Sequence, residues 1–303
     1  MDTGLDALAT ALYVEADDFV KRHPELVPWR PRVGLKPQVS DAELVTLAVL
    51  SVILQYNNET RWVRHVHARL GHLFPFVPQQ SGYNKRLRKL AGLMAAFMTY
   101  LAASTSVFTD DLVVADSTPI ECARSRETVK RSALAGIAEY GYCASHSRWF
   151  WGLRLHLVAT VHGLPLAFAV TGAKADERQV LRHLINTVPA LTQVPGRTLA
   201  ADKNYYGRDF ESYLASAGFT LLRKARKGEP PRPGTRLLKP IRQVIESIFD
   251  TTKDQLGLER HNAHTPDGIH TRIVQRLLAL TTVIWHNDRI GAPVLRSLTA
   301  YDH

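Results

Sequence analysis

Near residue 110 the spacing of apolar residues changes period, and that change limits the folds open to the chain. Before it, apolar residues recur every three or four positions, as Leu5, Leu8, Leu12 and Phe19 do, which is the mark of amphipathic helices. After it, short apolar runs and alternating segments come between helical stretches. Leu112 to Ala115 reads as a strand, and Trp151 to Val161 alternates through Leu153, Leu155 and Leu157. His162-Gly163 turns into Leu166–Val170, so these three strands lie adjacent. Thr198 to Ala201 and Phe219 to Leu222 follow as strands, with helices expected over 176–188, 209–217, 240–256 and 268–285. The expectation is an α+β chain with a mixed sheet flanked by helices, preceded by an all-helical region over residues 1–105. The sheet-bearing domain is placed at 106–290, and 291–303 is a tail without periodicity.

Within the helical region, Ser40-Asp41-Ala42-Glu43 matches a capping box ahead of Leu44, Leu47, Ala48 and Val52. Pro24, Pro28, Pro31 and Pro37 put a loop before it. Further helices are expected over Arg61–Leu70 and Ser81–Leu101, the latter carrying Lys85, Arg86, Arg88 and Lys89. That basic face suits phosphate contact in a helix-turn-helix-like reader, or a solvated surface. The most apolar stretch, Leu44 to Leu54, is too short to span a bilayer, and no membrane role is expected.

Among 303 residues, 38 Lys and Arg outnumber 28 Asp and Glu, for a net charge of +10. Such a surplus favours a polyanionic partner, nucleic acid first. The two cysteines, Cys122 and Cys143, form no Cys-x-x-Cys pair, so no zinc or redox motif is present. His156, His162, His261 and His264 fit no standard zinc spacing. A cytoplasmic protein is expected.

Three acids stand out by position. Asp116 ends the run 112–115, Asp202 ends the run 198–201, and Glu246 lies in the amphipathic segment Ile241–Phe249. Two strand-end aspartates and a helical glutamate supply the hard oxygen ligands that Mg²⁺ prefers, and paired divalent ions drive phosphodiester chemistry. Taken singly, each aspartate is equally at home as a turn or cap residue, and Glu246 as a solvated position in an ion-pair ladder. Context favours the site. Ser117-Thr118-Pro119 follows the first acid, with the proline read as the strand's stop. Lys203-Asn204-Tyr205-Tyr206-Gly207 follows the second. Arg242 precedes Glu246 by four residues and Lys253 follows it by seven.

Residues 223–242 hold Arg223, Lys224, Arg226, Lys227, Arg232, Arg236, Lys239 and Arg242 against Glu229 alone, and read as a phosphate-contacting run. Arg124, Arg126, Lys130, Arg131, Arg148 and Arg154 form a looser basic group. Thr128 to Tyr142 reads as a loop beside the site. Trp149, Phe150 and Trp151 read chiefly as alternating core residues, with stacking on an unpaired base as the other reading. Asp176 reads as a helix N-cap.

On these segments, with Leu73-Phe74-Pro75, Phe150–His156, Gly163-Leu164-Pro165 and Arg242–Glu246, residues 40–290 resemble a DDE-type transposase of bacterial insertion sequences. The likeness is nearest to the group usually labelled nine-eighty-two. The related IS-four superfamily pattern of Tyr, Arg, Glu and Lys is kept at Arg242, Glu246 and Lys253, whereas Lys239 stands in the Tyr position. The resemblance implies an RNase H-like core and an N-terminal DNA-binding region. It also implies Mg²⁺ (with Mn²⁺ able to substitute) on Asp116, Asp202 and Glu246, and DNA contacts from Arg242, Lys253, Lys203, Arg223, Lys224, Arg226, Lys227, Lys239, Lys85 and Arg86. Its chemistry would be phosphodiester attack by water and then by a freed 3′-OH. Its partners would be double-stranded DNA with terminal inverted repeats and target DNA, met by a homodimer or larger assembly, in the bacterial cytoplasm at the nucleoid. A nuclease of the same fold without strand transfer, and a non-catalytic DNA-binding remnant, are the alternatives.

Overall fold

A computed structural model describes residues 3–30, 34, 37–143, 147–295 and 297–301. Pro31 of the expected proline loop, and Arg296, Asp302 and His303 of the tail, lie outside the described residues. The chain divides into two compact units: 1–101 with 252–263 and 267–303, and 102–251 with 264–266.

The first unit is helical. It contains α1 (Thr3–Arg22), α2 (Asp41–Ile53), α3 (Glu59–Arg69), α4 (Gln80–Lys89), α5 (Ala91–Ala103) and, from the far end of the chain, α10 (Pro266–Arg289). The capping box is formed: the Ser40 hydroxyl accepts from the Glu43 N–H at 3.0 Å, and the Glu43 carboxylate accepts from the Ser40 N–H at 2.6 Å. Every residue of α2 except Glu43 is buried. Gln275 of α10 ties to α2, donating to the Ala48 carbonyl and the Ser51 hydroxyl, each at 2.8 Å. Helix α10 thus clusters with the N-terminal helices, although its sequence position placed it in the sheet-bearing region.

The single helix expected over Ser81–Leu101 is two helices, broken at Leu90. α4 is strongly polar with only Tyr83 and Leu87 buried, whereas α5 carries an apolar sequence that includes buried Leu93, Met94, Phe97, Met98 and Leu101. One straight helix does not serve both surfaces.

The second unit is built on a six-stranded sheet: β1 (Leu112–Ala123), β2 (Glu139–Cys143), β3 (Arg148–Thr160), β4 (Pro165–Gly172), β5 (Thr198–Ala201) and β6 (Thr220–Leu222). β3 pairs antiparallel with β1 on one side. On its other side it pairs with β4 over Leu153–Ala159 and with β2 over Arg148–Gly152. β5 and β6 continue parallel to β1. Four strands in antiparallel pairings, β1 to β4, followed by two parallel ones, β5 and β6, make the RNase H-like mixed sheet that was expected. Helices α6 (Arg126–Arg131), α7 (Glu177–Thr187), α8 (Arg208–Ser216) and α9 (Leu238–Asp250) complete the unit.

Two sheet expectations are corrected. β1 does not stop at Pro119 but runs to Ala123, with Pro119 opposite Arg154. Its pairing with β5 ends at Ala115, so from there β1 has a neighbour on one side only, where a missing N–H is tolerated. The expected loop Thr128–Tyr142 instead contains the end of α6 and most of β2. β2 is made by its pairing with β3, not by its own pattern, since Gly141 sits in its centre. That glycine is needed: a Cβ there would lie 2.7 Å from the Ala173 Cβ.

The sheet is covered on both faces: Ile120, Leu153, Leu155 and Leu157 fill one, and Val113 and Leu199 the other. At the start of β5, Arg197 is wholly buried. Its guanidinium donates to the carbonyls of Asp110 at 3.1 Å, Ala190 at 3.0 Å and Leu191 at 3.3 Å, and also to that of Phe108.

Candidate active site

The strand register brings two of the three acids together. β1 and β5 run parallel, with Leu112 opposite Thr198 and Ala115 opposite Ala201. The next residue on each chain is an aspartate, so Asp116 and Asp202 leave the pair at matching positions. Neighbouring strands lie about 5 Å apart, which sets the two carboxylates side by side. Asp116 accepts the Ser117 N–H at 2.8 Å. Asp202 opens a turn, accepting the Lys203 N–H at 2.6 Å and the Asn204 amide at 3.2 Å, while the Tyr205 N–H donates to its carbonyl at 3.0 Å.

Asp116 lies in the sheet and Asp202 at its exposed rim. Burial pushes the Asp116 carboxyl up to about 7, the nearby charges of Glu177 and Asp202 add to the rise, and the Ser117 N–H and Arg154 oppose it. A carboxylate held among other carboxylates is a place where a cation gains much.

Glu177, Arg154, Ser117 and Tyr205 surround this pair and were not among the expected site residues. Arg154 donates to Ser117 Oγ at 2.9 Å and to Glu177 Oε1 at 3.1 Å, and Ser117 Oγ donates to the same Glu177 oxygen. Tyr205 is buried, and its hydroxyl is held well above its usual range by that burial and by the charges of Glu177 and Asp116. One signal was present in the sequence: Arg154 is a lone charge inside an apolar strand, which requires a partner. Asp176, as expected, caps α7, accepting from the N–H groups of Arg178 at 2.9 Å and Gln179 at 3.3 Å.

The third acid stands apart. In α9, Ile241, Ile245, Ile248 and Phe249 face inward, while Lys239, Arg242 and Glu246 are exposed. Arg242 Nε donates to Glu246 Oε1 at 2.8 Å, the ion pair of an i, i+4 ladder. The same guanidinium is held above its usual range first by Glu246, and also by Asp202 and Asp116. The helix therefore presents Arg242 within electrostatic reach of both aspartates. Glu246 is engaged with Arg242, and among the described residues no three His, Cys, Asp or Glu side chains are close enough to hold a metal ion. The set fits a divalent ion in donor chemistry, since two adjacent carboxylates crowd negative charge together; the third ligand requires Glu246 to exchange Arg242 for the ion. Lys253 lies in the π-helical turn Thr251–Gln255, which directly continues α9 in a wider winding.

The basic residues separate into two kinds. Arg223 is buried and donates to Glu211 at 2.6 Å and Glu229 at 2.7 Å, and Arg232 donates to Glu211 at 2.8 Å. Its charge is consumed inside the protein, so Arg223 shapes the loop and is not free for phosphate. Arg86 is likewise turned inward onto Asp41 at 3.0 Å, beside Arg30. Lys85, Lys203, Lys224, Arg226, Lys227 and Lys239 are exposed. Arg226 lies 3.6 Å above the Tyr206 ring.

The raised Asp116 carboxyl has a consequence for stability. Its folded pKa of about 7 exceeds the ordinary aspartate value of 3.8, so between those values the native state holds a proton that the unfolded chain loses. Between about pH 4 and 7 this one group makes folding less favourable as pH rises. Asp116→Asn removes that dependence. The variant's melting temperature relative to the parent should rise from pH 5 to pH 8 without divalent ions, by circular dichroism. A difference unchanged across that range would show that Asp116 is not held protonated.

Residues 108–282, more than half of the chain, match the family described as Transposase DDE domain. No curated protein matches the chain significantly. Among solved structures, the chain is similar to piggyBac transposase in its synaptic complex with hairpin DNA, at a TM-score of 0.51 and 8% identity. That alignment covers 99% of this chain and 79% of the other.

Proposed function

The chain belongs to the transposase DDE domain family, and on that footing we propose that it cuts and joins DNA with the acids Asp116, Asp202 and Glu246. The carrying observation is the parallel register of β1 and β5, which sets Asp116 and Asp202 side by side beneath a helix bearing Arg242 and Glu246. Asp116 and Asp202, with Glu246 once it leaves Arg242, would hold the divalent ions, Mg²⁺ with Mn²⁺ as substitute. Such ions, when bound, activate a water or a 3′-OH and offset charge on the leaving oxygen. Arg242, released from Glu246, would meet a DNA phosphate, with the exposed Lys203, Lys224, Arg226, Lys227 and Lys239 as further phosphate contacts. Arg154 and Ser117 fix Glu177 beside Asp116, so the acidic side of the site is held before DNA arrives.

The reaction we assign is attack by water at an element end, followed by attack of the freed 3′-OH on target DNA. The substrate is an insertion sequence of the nine-eighty-two type with terminal inverted repeats. The helical region at 1–105, with Lys85 exposed on α4, is assigned to reading those repeats, Lys253 to a further phosphate contact, and residues 106–290 to catalysis. DNA as partner is supported by the likeness to a transposase solved with hairpin DNA. Two symmetric ends call for a dimer or larger assembly on DNA, acting at the nucleoid. No described helix is long and apolar enough to cross a membrane.

The experiment is incubation of the protein and Mg²⁺ with DNA carrying the sequences that flank its gene, plus a target plasmid. A nick exposing a 3′-OH at the repeat and a joined plasmid product are expected. Nicks without joined product would assign a nuclease instead, and neither product would overturn the reading.

A further inference from the structure

We propose that the outer face of the β2–β3 hairpin is a stacking platform for unpaired bases of DNA, a role distinct from the acidic site but resting on DNA as the substrate. Alternation along the paired strands sorts its residues. Gly141, Cys143 and Phe150 face inward, and Cys143 and Phe150 are packed with Ala173. Tyr142 pairs with Trp149 and Tyr140 with Trp151, so these four share the other face. Trp151 is covered, but Trp149 is 71% exposed, Tyr140 49% and Tyr142 47%. The rings of Tyr142 and Trp149 lie 5.4 Å apart. Three large rings open to water on one short hairpin form a patch that core packing does not explain.

Charge favours a nucleic acid as the occupant. Arg148, exposed, directly precedes Trp149 in β3 and shares Glu121 with Arg124, at 3.3 and 3.4 Å. Arg126 and Arg131 of α6 are exposed and carry no acidic partner among the described residues. Exposed aromatic rings among basic side chains are how proteins hold unstacked bases, because every base has a π face and every nucleotide a phosphate. The chain's net charge of +10 points the same way.

Trp149 is eight residues along β3 from Leu157, which lies opposite Asp116, so at about 3.3 Å per residue the rings stand at most roughly 26 Å from the aspartates. Buried Leu153, Leu155 and Leu157 fill the sheet face between them, so the rings form a contact separate from the acidic site.

The test measures binding of the full chain to a thymidine-only single-stranded oligonucleotide and to a blunt duplex, with no divalent ion present. Trp149→Ala should weaken single-strand binding about tenfold per lost ring. Duplex binding should stay within about twofold, and Trp149→Phe should restore the single-strand affinity. Tyr142→Ala should add to the loss. Equal weakening for both DNAs, or no change for either, would overturn the proposal. So would a change in sedimentation without a change in DNA binding, which would make the rings a surface between copies of the chain. A protein that fails to cut DNA but passes this test would sink the catalytic assignment alone.

Discussion

Asp116→Asn should lower Mg²⁺-dependent DNA cleavage at least about a hundredfold while leaving duplex binding and the fold intact. The substitution is nearly isosteric, and its amide oxygen can still accept the Ser117 N–H that Asp116 accepts at 2.8 Å. What it removes is one of two negative charges that the β1–β5 register sets side by side. Losing one pre-placed electrostatic group at a reacting centre costs on the order of a hundred- to a thousandfold in rate. The exposed lysines are untouched, so gel-shift affinity for duplex DNA should not change. Cleavage within about tenfold of the parent would remove Asp116 from the reaction. The same variant should melt higher at pH 8, because a carboxyl raised to about 7 is a destabilising charge there.

Arg197→Met should be the most damaging single change to the sheet-bearing unit. Its guanidinium is wholly buried and meets the carbonyls of Phe108, Asp110, Ala190 and Leu191. Methionine fills part of the volume but leaves those oxygens without that donor, at about 1–3 kcal/mol for each one left buried and unsatisfied. With partial relaxation a total of about 3–5 kcal/mol is expected, a large part of a typical domain's stability. The effect reaches the site, since Arg197 directly precedes β5 and holds the strand that carries Asp202. Lysine should not rescue, because it lacks the planar fork that reaches several carbonyls at once. The measurement is the urea midpoint: a marked drop for both variants is expected, and an unchanged midpoint would show that β5 is held by other contacts.

Much of the fold was legible because local chemistry and tertiary structure agree. Ser40 and Glu43 form the capping box they spell, and the alternation of Leu153, Leu155 and Leu157 is the alternation of β3. The failures occur where long-range pairing decides. Pro119 looks like a strand stop, yet β1 passes it because one of its edges is open there. β2 has a glycine centre and takes its form from β3. In the site, the positions of Asp116 and Asp202 could be read from two runs of equal kind, but their adjacency depends on a parallel register that spacing alone does not specify. Glu177 was hidden behind its neighbour Asp176, whose capping role is real. Arg223 looked like one more base in a basic run. Only the fold reveals that Glu211 and Glu229 close around it. Trp149 looked like core because Phe150 and Trp151, which follow it, are core, and the end of the hairpin exposes it instead.

Glu246 is the member of the acidic set on which the account depends most, because it is bonded to Arg242 and must move to serve the aspartates. The direct test is cleavage of DNA bearing the gene's flanking repeats by parent and Glu246→Gln protein, side by side in Mg²⁺, with duplex binding measured on the same preparations. Loss of cutting by at least about a hundredfold, with binding retained, is the predicted result, as for any pre-placed charge at the reacting centre. Full Mg²⁺-dependent cutting by Glu246→Gln would contradict the three-acid site.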